Sequence, residues 1–419
     1  MEDVLIVGAG PAGSVAAAVL ARAGVRVRIV DRATFPREKL CGDTVNPGTL
    51  ARLRRLRLAD AIDEQGVPLD GMVVTGEGGV AIEARYPNGL CGRSLSRATL
   101  DWELLQQAVA AGAQFEPGVA VRHAVVAETP RGPRVEGVAM RSGSLGARVT
   151  IAADGRRSTL AFGLKLAHHP PRPRRWAVGA YFEGTRGTSS FGEMHIRRGR
   201  YVGVAPIPEG LTNVCLVFEP VGPTSRSGAY GDRTGAFCDP AGLDLVGPTF
   251  RSGAYGGRRG AFRDPEALLR GTLEGDERLR DRFAGARLVA PPAVLGPLAV
   301  DVIDGTIDGL ILAGDAAGFI DPMTGDGLQF AVRGGELAAA AAFDALQHGW
   351  NGVHARLAAA RRREFLAKWR FNRLLRTLVA SPTAMRAAAM GARLSPAVVR
   401  VLVARAGDCD LAGRVPEAL

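Results

Sequence analysis

The chain opens on an uninterrupted apolar run, Val4-Leu5-Ile6-Val7. Such a run predicts a strand buried on both faces, as in a parallel sheet. Gly8-Ala9-Gly10-Pro11-Ala12-Gly13 follows, and then an alanine-rich stretch to about Ala23 that predicts a helix, stopped by Gly24. Val25 to Val30 reads as a second strand and ends at Asp31. Two later strand-like runs also deliver acids: Val149 to Ala153 leads into Asp154-Gly155, and Leu310 to Ala313 into Gly314-Asp315. Leu100 to Ala110 predicts a helix just after Arg97. Asp326 reads as the N-cap of another, running through Glu336 and an alanine run. Residues 160 to 285 have a different texture, strand-like stretches broken by many glycines.

The order strand, GxGxxG, helix, strand, acid carries chemistry. Gly8, Gly10 and Gly13 allow a tight turn and let a pyrophosphate approach backbone N–H groups at the helix N-terminus, which Pro11 and Ala12 open. Asp31 is placed to accept hydrogen bonds from a ribose. Arg32 either stacks on adenine or is a solvated arginine.

Composition bounds the rest. In 419 residues, 47% are hydrophobic and 23% charged, a globular balance for two or three domains. Net charge is +11, and nearly all the positive charge is arginine, lysine standing only at 39, 165 and 368. A basic surface attracts anionic cofactors or lipid headgroups. No nucleic-acid-binding motif accompanies it, so no nucleic-acid partner is expected. The five cysteines form no CxxC and the six histidines show no ligand spacing, which points to no metal and to a reduced, cytoplasmic setting. No apolar run reaches the roughly 20 residues needed to cross a bilayer, and the first residues lack a secretory signal pattern.

Together the three acid-bearing segments resemble the FAD-binding group of flavoprotein monooxygenases and their relatives. The resemblance implies non-covalent FAD, with Gly8, Gly10, Gly13 and Asp31 on its ADP half, Asp154 and Gly155 near the pyrophosphate, and Gly314 and Asp315 on the ribityl chain. Val119 to Val121 would meet adenine through backbone. Phe35-Pro36-Arg37-Glu38-Lys39-Leu40-Cys41-Gly42-Asp43 narrows this to the geranylgeranyl reductase and FixC-like branch, which carries a similar stretch. Residues 314–328, reading GDAAGFIDPMTGDGL, are similar to the same branch. The resemblance implies that Cys41 and Gly42 lie beside the isoalloxazine, that Arg97 reaches the cofactor, and that Gly325, Gly327 and Leu328 bring backbone N–H groups to its N1/O2 edge. Cys41 reads equally as a small packing residue, and Arg97 alternatively as a first-turn surface arginine.

The expected fold is α/β: a Rossmann-like FAD-binding domain (1–70, 95–160 and 286–345), an inserted antiparallel β-sheet substrate domain (71–94 and 161–285) and a C-terminal helical cap (346–419). Tyr201, Gly203, Ala205 and Pro206 align with the reductases' YxWxFP motif, and Pro322 joins them as a substrate residue. Gly203 and Ala205 replace two rings, so the pocket must differ in shape. Residues 222–243 recur at 247–268, either a duplicated surface insertion or a lid carrying Tyr230, Phe237, Tyr255 and Phe262. Ala355 to Leu378 predicts a basic helix, either a structural cap with exposed arginines or a peripheral membrane contact.

The leading functional expectation is an FAD-dependent reductase of an apolar isoprenoid- or polyketide-like alkene. Hydride comes from the reduced cofactor, and Asp43 or water supplies the proton. The alternative is an NAD(P)H-dependent monooxygenase acting through a flavin hydroperoxide. A FixC-like electron carrier and a halogenase follow; the halogenase WxWxIP motif is missing. NAD(P)H or another donor is expected to bind only transiently, because no second GxGxxG is present.

Overall fold

The computed structural model describes residues 2–171, 175–219, 264–303, 305–319, 325–380 and 396–412. Pro322 and most of the 222–268 repeat lie outside these residues.

The opening strand, Glu2–Val7, sits inside a seven-stranded sheet. It pairs in parallel with Val27–Asp31 on one side and with Gly143–Ala152 on the other. The parallel part is extended by Gln114–Pro117 at one edge and Leu310–Leu312 beyond Gly143–Ala152. Gly143–Ala152 serves two partners in sequence. Its first residues pair antiparallel with Gly132–Met140, which turns back to Val121–Thr129, and its last residues join the parallel set. Helices Pro11–Arg22, Arg97–Ala110 and Gly327–His348 cover one face. Val4, Ile6, Ile29 and Ile151 meet Val15, Leu104 and Ala338 there in a fully buried core. The alanine runs of the first and third helices let them pack closely; a Cβ on Gly335 would lie 2.4 Å from the Ala12 carbonyl.

A second, eight-stranded sheet is largely antiparallel, in the order Arg287–Leu288, Trp176–Glu183, Thr212–Phe218, Arg200–Pro206, Phe191–Arg197, Gly71–Thr75, Ala81–Arg85. Only Phe191–Arg197 and Gly71–Thr75 run parallel among these pairs. Segments 71–85 and 176–218 thus build one sheet although about 90 residues separate them. Ala293–Leu295 also pairs with Trp176–Glu183, so the sheet takes strands beyond residue 285.

Strict alternation gives this sheet two faces. Val178, Phe182, Val202, Val204, Val214 and Leu216 pack against Leu268, Leu269 and Leu273 of helix Pro265–Glu274. The intervening residues form rows on the opposite face: Tyr181, Asn213 and Ala205; Gly179, Cys215 and Gly203; Ala177, Val217 and Tyr201. Leu40, Phe319 and Leu375 pack against that second face. They come from the segment after the first parallel strands, from the loop after Leu310–Leu312, and from helix Val353–Ala380. The face therefore looks toward the first sheet's carboxyl ends, where ligands bind in open α/β sheets.

Candidate active site

The first glycine turn is shaped by close approach. Gly8 holds φ at +104°, and a Cβ there would lie 2.4 Å from the Ala153 carbonyl oxygen; a Cβ on Gly13 would lie 1.9 Å from the Gly8 oxygen. Any side chain at either position would collide with backbone. Asp31 anchors the turn: its carboxylate accepts from the N–H groups of Ala9 and Ala33, each at 2.8 Å. The strand that begins at Val121 is tied to the same place, because the Val119 N–H donates to the Asp31 carbonyl at 2.8 Å.

The segment after the second strand carries a chemistry that the motif reading missed. Residues 35, 37 and 39 turn inward while 36 and 38 are exposed. Arg37 reaches to the glycine turn, 3.5 Å from where a Gly10 Cβ would be, and its Nη1 is buried without a hydrogen-bond partner. Lys39 lies 3.8 Å from the Cβ position of Gly155. Burial, with Arg97 nearby, pushes its ammonium down from the usual range. The fully buried Asp101 accepts a two-point pair from Arg97 at 2.7 and 2.8 Å and a third contact from Arg37 at 2.9 Å. Arg97 is thus buried, held by Asp101 and beside the Cys41 thiol, and is no surface arginine.

The second and third motifs close the cleft. The Asp154 carboxylate accepts from the Thr159 N–H at 2.7 Å with one oxygen, while the other is buried and unpartnered. Gly155 takes φ +82°. Arg156 and Arg157 donate to the carbonyls of Pro297 and Gly296, so they tie the motif to the chain just after strand Ala293–Leu295 of the second sheet. Gly314 at φ +59° packs against Ala12, where a Cβ would approach to 2.9 Å. Asp315, Lys39 and Arg156 interact electrostatically across this cleft. Gly325 takes φ +71° near Thr44, and Gly327 and Leu328 begin the long helix. Asp326 holds the N-cap position, but its side chain makes no cap. It turns instead toward helix Val353–Ala380, so the cap expectation fails because a stronger, charged partner stands on the other side.

Orphaned donors and an orphaned acceptor, a backbone cradle that excludes any Cβ, and cations held without full neutralisation fit an anionic diphosphate with attached sugars.

The catalytic expectations fall beside this cleft. Asp43 sits at φ +55°, a conformation uncommon for a non-glycine residue though tolerated by aspartate. Ser94 Oγ and the Leu95 N–H, both donating at 3.0 Å to its carbonyl, hold it there. Its carboxyl is 1% exposed. The Tyr181 hydroxyl donates to Oδ2 at 2.7 Å, and Oδ1 has no partner. Burial pushes this acid up to about 7, against the opposing pull of Tyr181 and Arg97. Cys41 behaves differently. Burial pushes its thiol up, so it favours the unreactive thiol over the thiolate. Its carbonyl accepts from Asn213 Nδ2 at 2.9 Å, which supports the packing reading. Gly42 has open space around it.

Tyr201, Gly203 and Ala205 share the inward face of the second sheet, with Tyr201 buried. A Cβ on Gly203 would meet nothing closer than 3.8 Å, so the lost ring leaves free room above the strand. Pro206 falls on the other face by alternation. Tyr181 and Asn213 carry the polar end of the inward face, and the sequence reading passed over both. Their strands pair residue for residue with the recognised motif, which is their only signal.

A family model described as an FAD binding domain matches residues 1–196. A menaquinone reductase of Mycolicibacterium smegmatis is 30% identical over 348 residues, covering 80% of this chain and 75% of that protein. This chain belongs to the FAD-dependent flavoprotein oxidoreductases. Within them it falls in the geranylgeranyl reductase and FixC-like branch, whose CGD and TGDG segments it carries. A digeranylgeranylglycerophospholipid reductase of Methanosarcina acetivorans is 25% identical over 358 residues, 83% of this flavoprotein and 76% of the relative. The crystal structure of a flavoprotein/dehydrogenase from Cytophaga hutchinsonii shares the fold, with a TM-score of 0.74 at 20% identity over 97% of this chain and 92% of that one. Among the described residues of this flavoprotein, no group of three or more His, Cys, Asp or Glu side chains is placed to hold a metal ion. None of its described helices is long and apolar enough to cross a membrane.

Proposed function

We propose that this flavoprotein reduces a carbon–carbon double bond of an apolar isoprenoid- or polyketide-like substrate, with Asp43 as the proton donor. Bound FAD, reduced by NAD(P)H or another transient donor, supplies the hydride. The chain's own part is to hold the alkene on the inward face of the second sheet and to protonate the carbon left behind. The observation that carries the reading is Asp43: an acid pushed up to about 7 by burial keeps a substantial protonated fraction near neutrality, where an ordinary aspartate is ionised. Tyr181 orients its carboxyl, and Oδ1 is left without a protein partner. The similarity to a menaquinone reductase and to a digeranylgeranylglycerophospholipid reductase supports the same reading.

In the cofactor cleft, Arg37, Lys39, Gly8, Gly10 and Gly13 would hold the diphosphate with Asp154 beside it, Asp31 and Arg32 the adenosine half, and Gly314 and Asp315 the ribityl chain. Arg97 acts through Asp101 and the Cys41 segment.

The substrate enters beside the C-terminal helices. Leu375 packs on the inward face, while its neighbour Leu374 is 60% exposed. Leu366, Val401 and Leu402 are exposed with it, among exposed Arg362, Arg363, Arg370 and Arg400. Apolar side chains among cations suit a peripheral contact with an anionic bilayer.

Holoprotein reduced anaerobically and mixed with polyprenyl alkenes in micelles tests the reading. Reoxidation of the flavin by the alkene supports it. A flavin that stays reduced with every alkene and reoxidises only with oxygen overturns it.

A further inference from the structure

Asp326 is the last residue before helix Gly327–His348, the helix whose N-terminus the family reading aims at the flavin. An aspartate in that position ordinarily caps the helix with its carboxylate. Here the carboxylate faces away. Asp326, 1% exposed, pairs with Lys368 Nζ at 2.9 Å and accepts from Asn372 Nδ2 at 2.8 Å. Both partners belong to helix Val353–Ala380. Lys368 is itself held by a second carboxylate, Asp408, at 3.0 Å, and donates to the carbonyls of Arg405 and Ala406 at 2.8 and 2.9 Å. Asp408 accepts from Asn46 Nδ2 at 3.1 Å, and Asn46 Oδ1 caps helix Pro47–Arg55 by accepting from the Thr49 N–H. The backbone closes on the same point: the Gly48 N–H donates to the Gly407 carbonyl, and a Cβ on Gly48 would sit 2.4 Å from Asp408. One ammonium therefore joins four segments around a buried carboxylate at the head of the flavin-facing helix.

Two consequences follow from elementary electrostatics. With its carboxylate turned aside, Asp326 leaves the first N–H groups of the helix to a ligand. The carboxylate nonetheless remains a unit negative charge beside that helix end, in a poorly screened interior. Unpaired, it would oppose the negative charge that reduction places on the ligand. Lys368 offsets it.

We propose that Lys368 is a positioning residue for the flavin: by offsetting the charge of Asp326 it makes the N-terminus of helix Gly327–His348 more electropositive and holds the reduction potential of bound FAD up. This rests on FAD binding in the cleft described above and goes beyond it, because it assigns the C-terminal region a part in the redox chemistry.

The two singles and the double variant are loaded with FAD and titrated at equilibrium against a reference dye at pH 8. Lys368→Met is expected to disfavour reduction about tenfold, about 30 mV for a two-electron couple, and Asp326→Asn to favour it by a similar factor. The double variant is expected to return close to the wild-type midpoint. Opposite signs with cancellation are a signature that loosened packing does not produce. Asp326→Asn keeps shape and hydrogen-bonding capacity, so it reports even where Lys368→Met folds poorly. Wild-type midpoints in all variants, or shifts of one sign in both singles, overturn the inference and leave the FAD site standing. A wild-type chain that takes up no FAD removes the site and the inference together.

Discussion

Asp43 is the residue on which the proposed chemistry turns, and its surroundings set the sign of its pH dependence. A proton donor pushed up to about 7 works below that pH and is lost above it. Turnover is therefore expected to fall as pH rises through about 7. Tyr181 donates to the carboxylate and so favours its ionised form. Tyr181→Phe is expected to move the alkaline limb of the profile upward. Asp43→Asn is expected to slow turnover on the order of 10² to 10⁴-fold with FAD still bound. An unchanged limb in Tyr181→Phe, with full activity in Asp43→Asn, would remove Asp43 from the mechanism. Arg37 offers a separate test at the cofactor. Its orphaned Nη1 beside the Gly10 turn predicts that Arg37→Met raises the Kd for FAD tenfold to a hundredfold, the worth of one charge-assisted hydrogen bond. Fluorescence titration of the apoprotein checks it.

These residues were unequally legible. Gly8, Gly13 and Asp31 are readable because a turn that tolerates no Cβ leaves a local spacing in the chain. Arg37 and Lys39 lie inside a stretch used for family resemblance, and their alternation with exposed Pro36 and Glu38 was the overlooked sign. Lys39 and Lys368 carried another: in a chain that is basic almost wholly through arginine, two of its few lysines stand at half-buried ion pairs or cations of the cleft. Asp101 carried a local sign that was overlooked, its i,i+4 spacing from Arg97, whereas Asn213 left none, since its role arises only when distant segments meet.

At the scale of elements, helices Pro47–Arg55, Gly327–His348 and Val353–Ala380 are locked by charge. Arg52 pairs with Glu336 at 2.8 Å and Glu364 at 2.7 Å; Arg55 reaches Glu336 at 2.6 Å, and Arg333 reaches both glutamates at 3.0 Å. Burial pushes Glu336 up, but Arg333, Arg52 and Arg55 outweigh it and hold the carboxyl below 4.5. A depressed acid stabilises the fold above its unfolded value and loses that contribution as pH falls through its folded one. Glu336→Gln is expected to cost roughly 3 kcal/mol at neutral pH, with the gap to wild type narrowing below pH 4.5. Denaturant unfolding at pH 7 and pH 3.5 measures both. An equal gap at the two pH values would mean that charge does not hold these helices. The 355–378 reading foresaw the helix but not its inward cations. Arg361 donates to the Leu312 carbonyl, and burial pushes it down to about 10; Lys368 is buried in the Asp326 pair. A helical pattern fixes which residues share a face, and only tertiary packing decides which face is inward.

For the whole molecule, two sheets meet at one cleft, and strands 176–218 of the second fall in the stretch whose texture changes after residue 160. The grouping of 71–94 with 161–285 came from the family resemblance; the parallel pairing of Gly71–Thr75 with Phe191–Arg197 itself leaves no periodic mark in the chain. Leu366 and Leu374 on helix Val353–Ala380, and Val401 and Leu402 on helix Pro396–Ala406, are exposed apolar side chains with exposed arginines close by in the chain. Sedimentation with vesicles is expected to capture the protein on anionic but not on neutral lipid, and Leu374→Glu to weaken capture several-fold; equal recovery with both lipids would contradict a peripheral contact. The central claim is that this flavoprotein hydrogenates an alkene, and mass analysis of its product tests that most directly. Pre-reduced holoprotein, mixed with a polyprenyl substrate without oxygen, is predicted to return a product heavier by two hydrogens. A product that forms only when oxygen is admitted, and that has gained an oxygen atom, would contradict it.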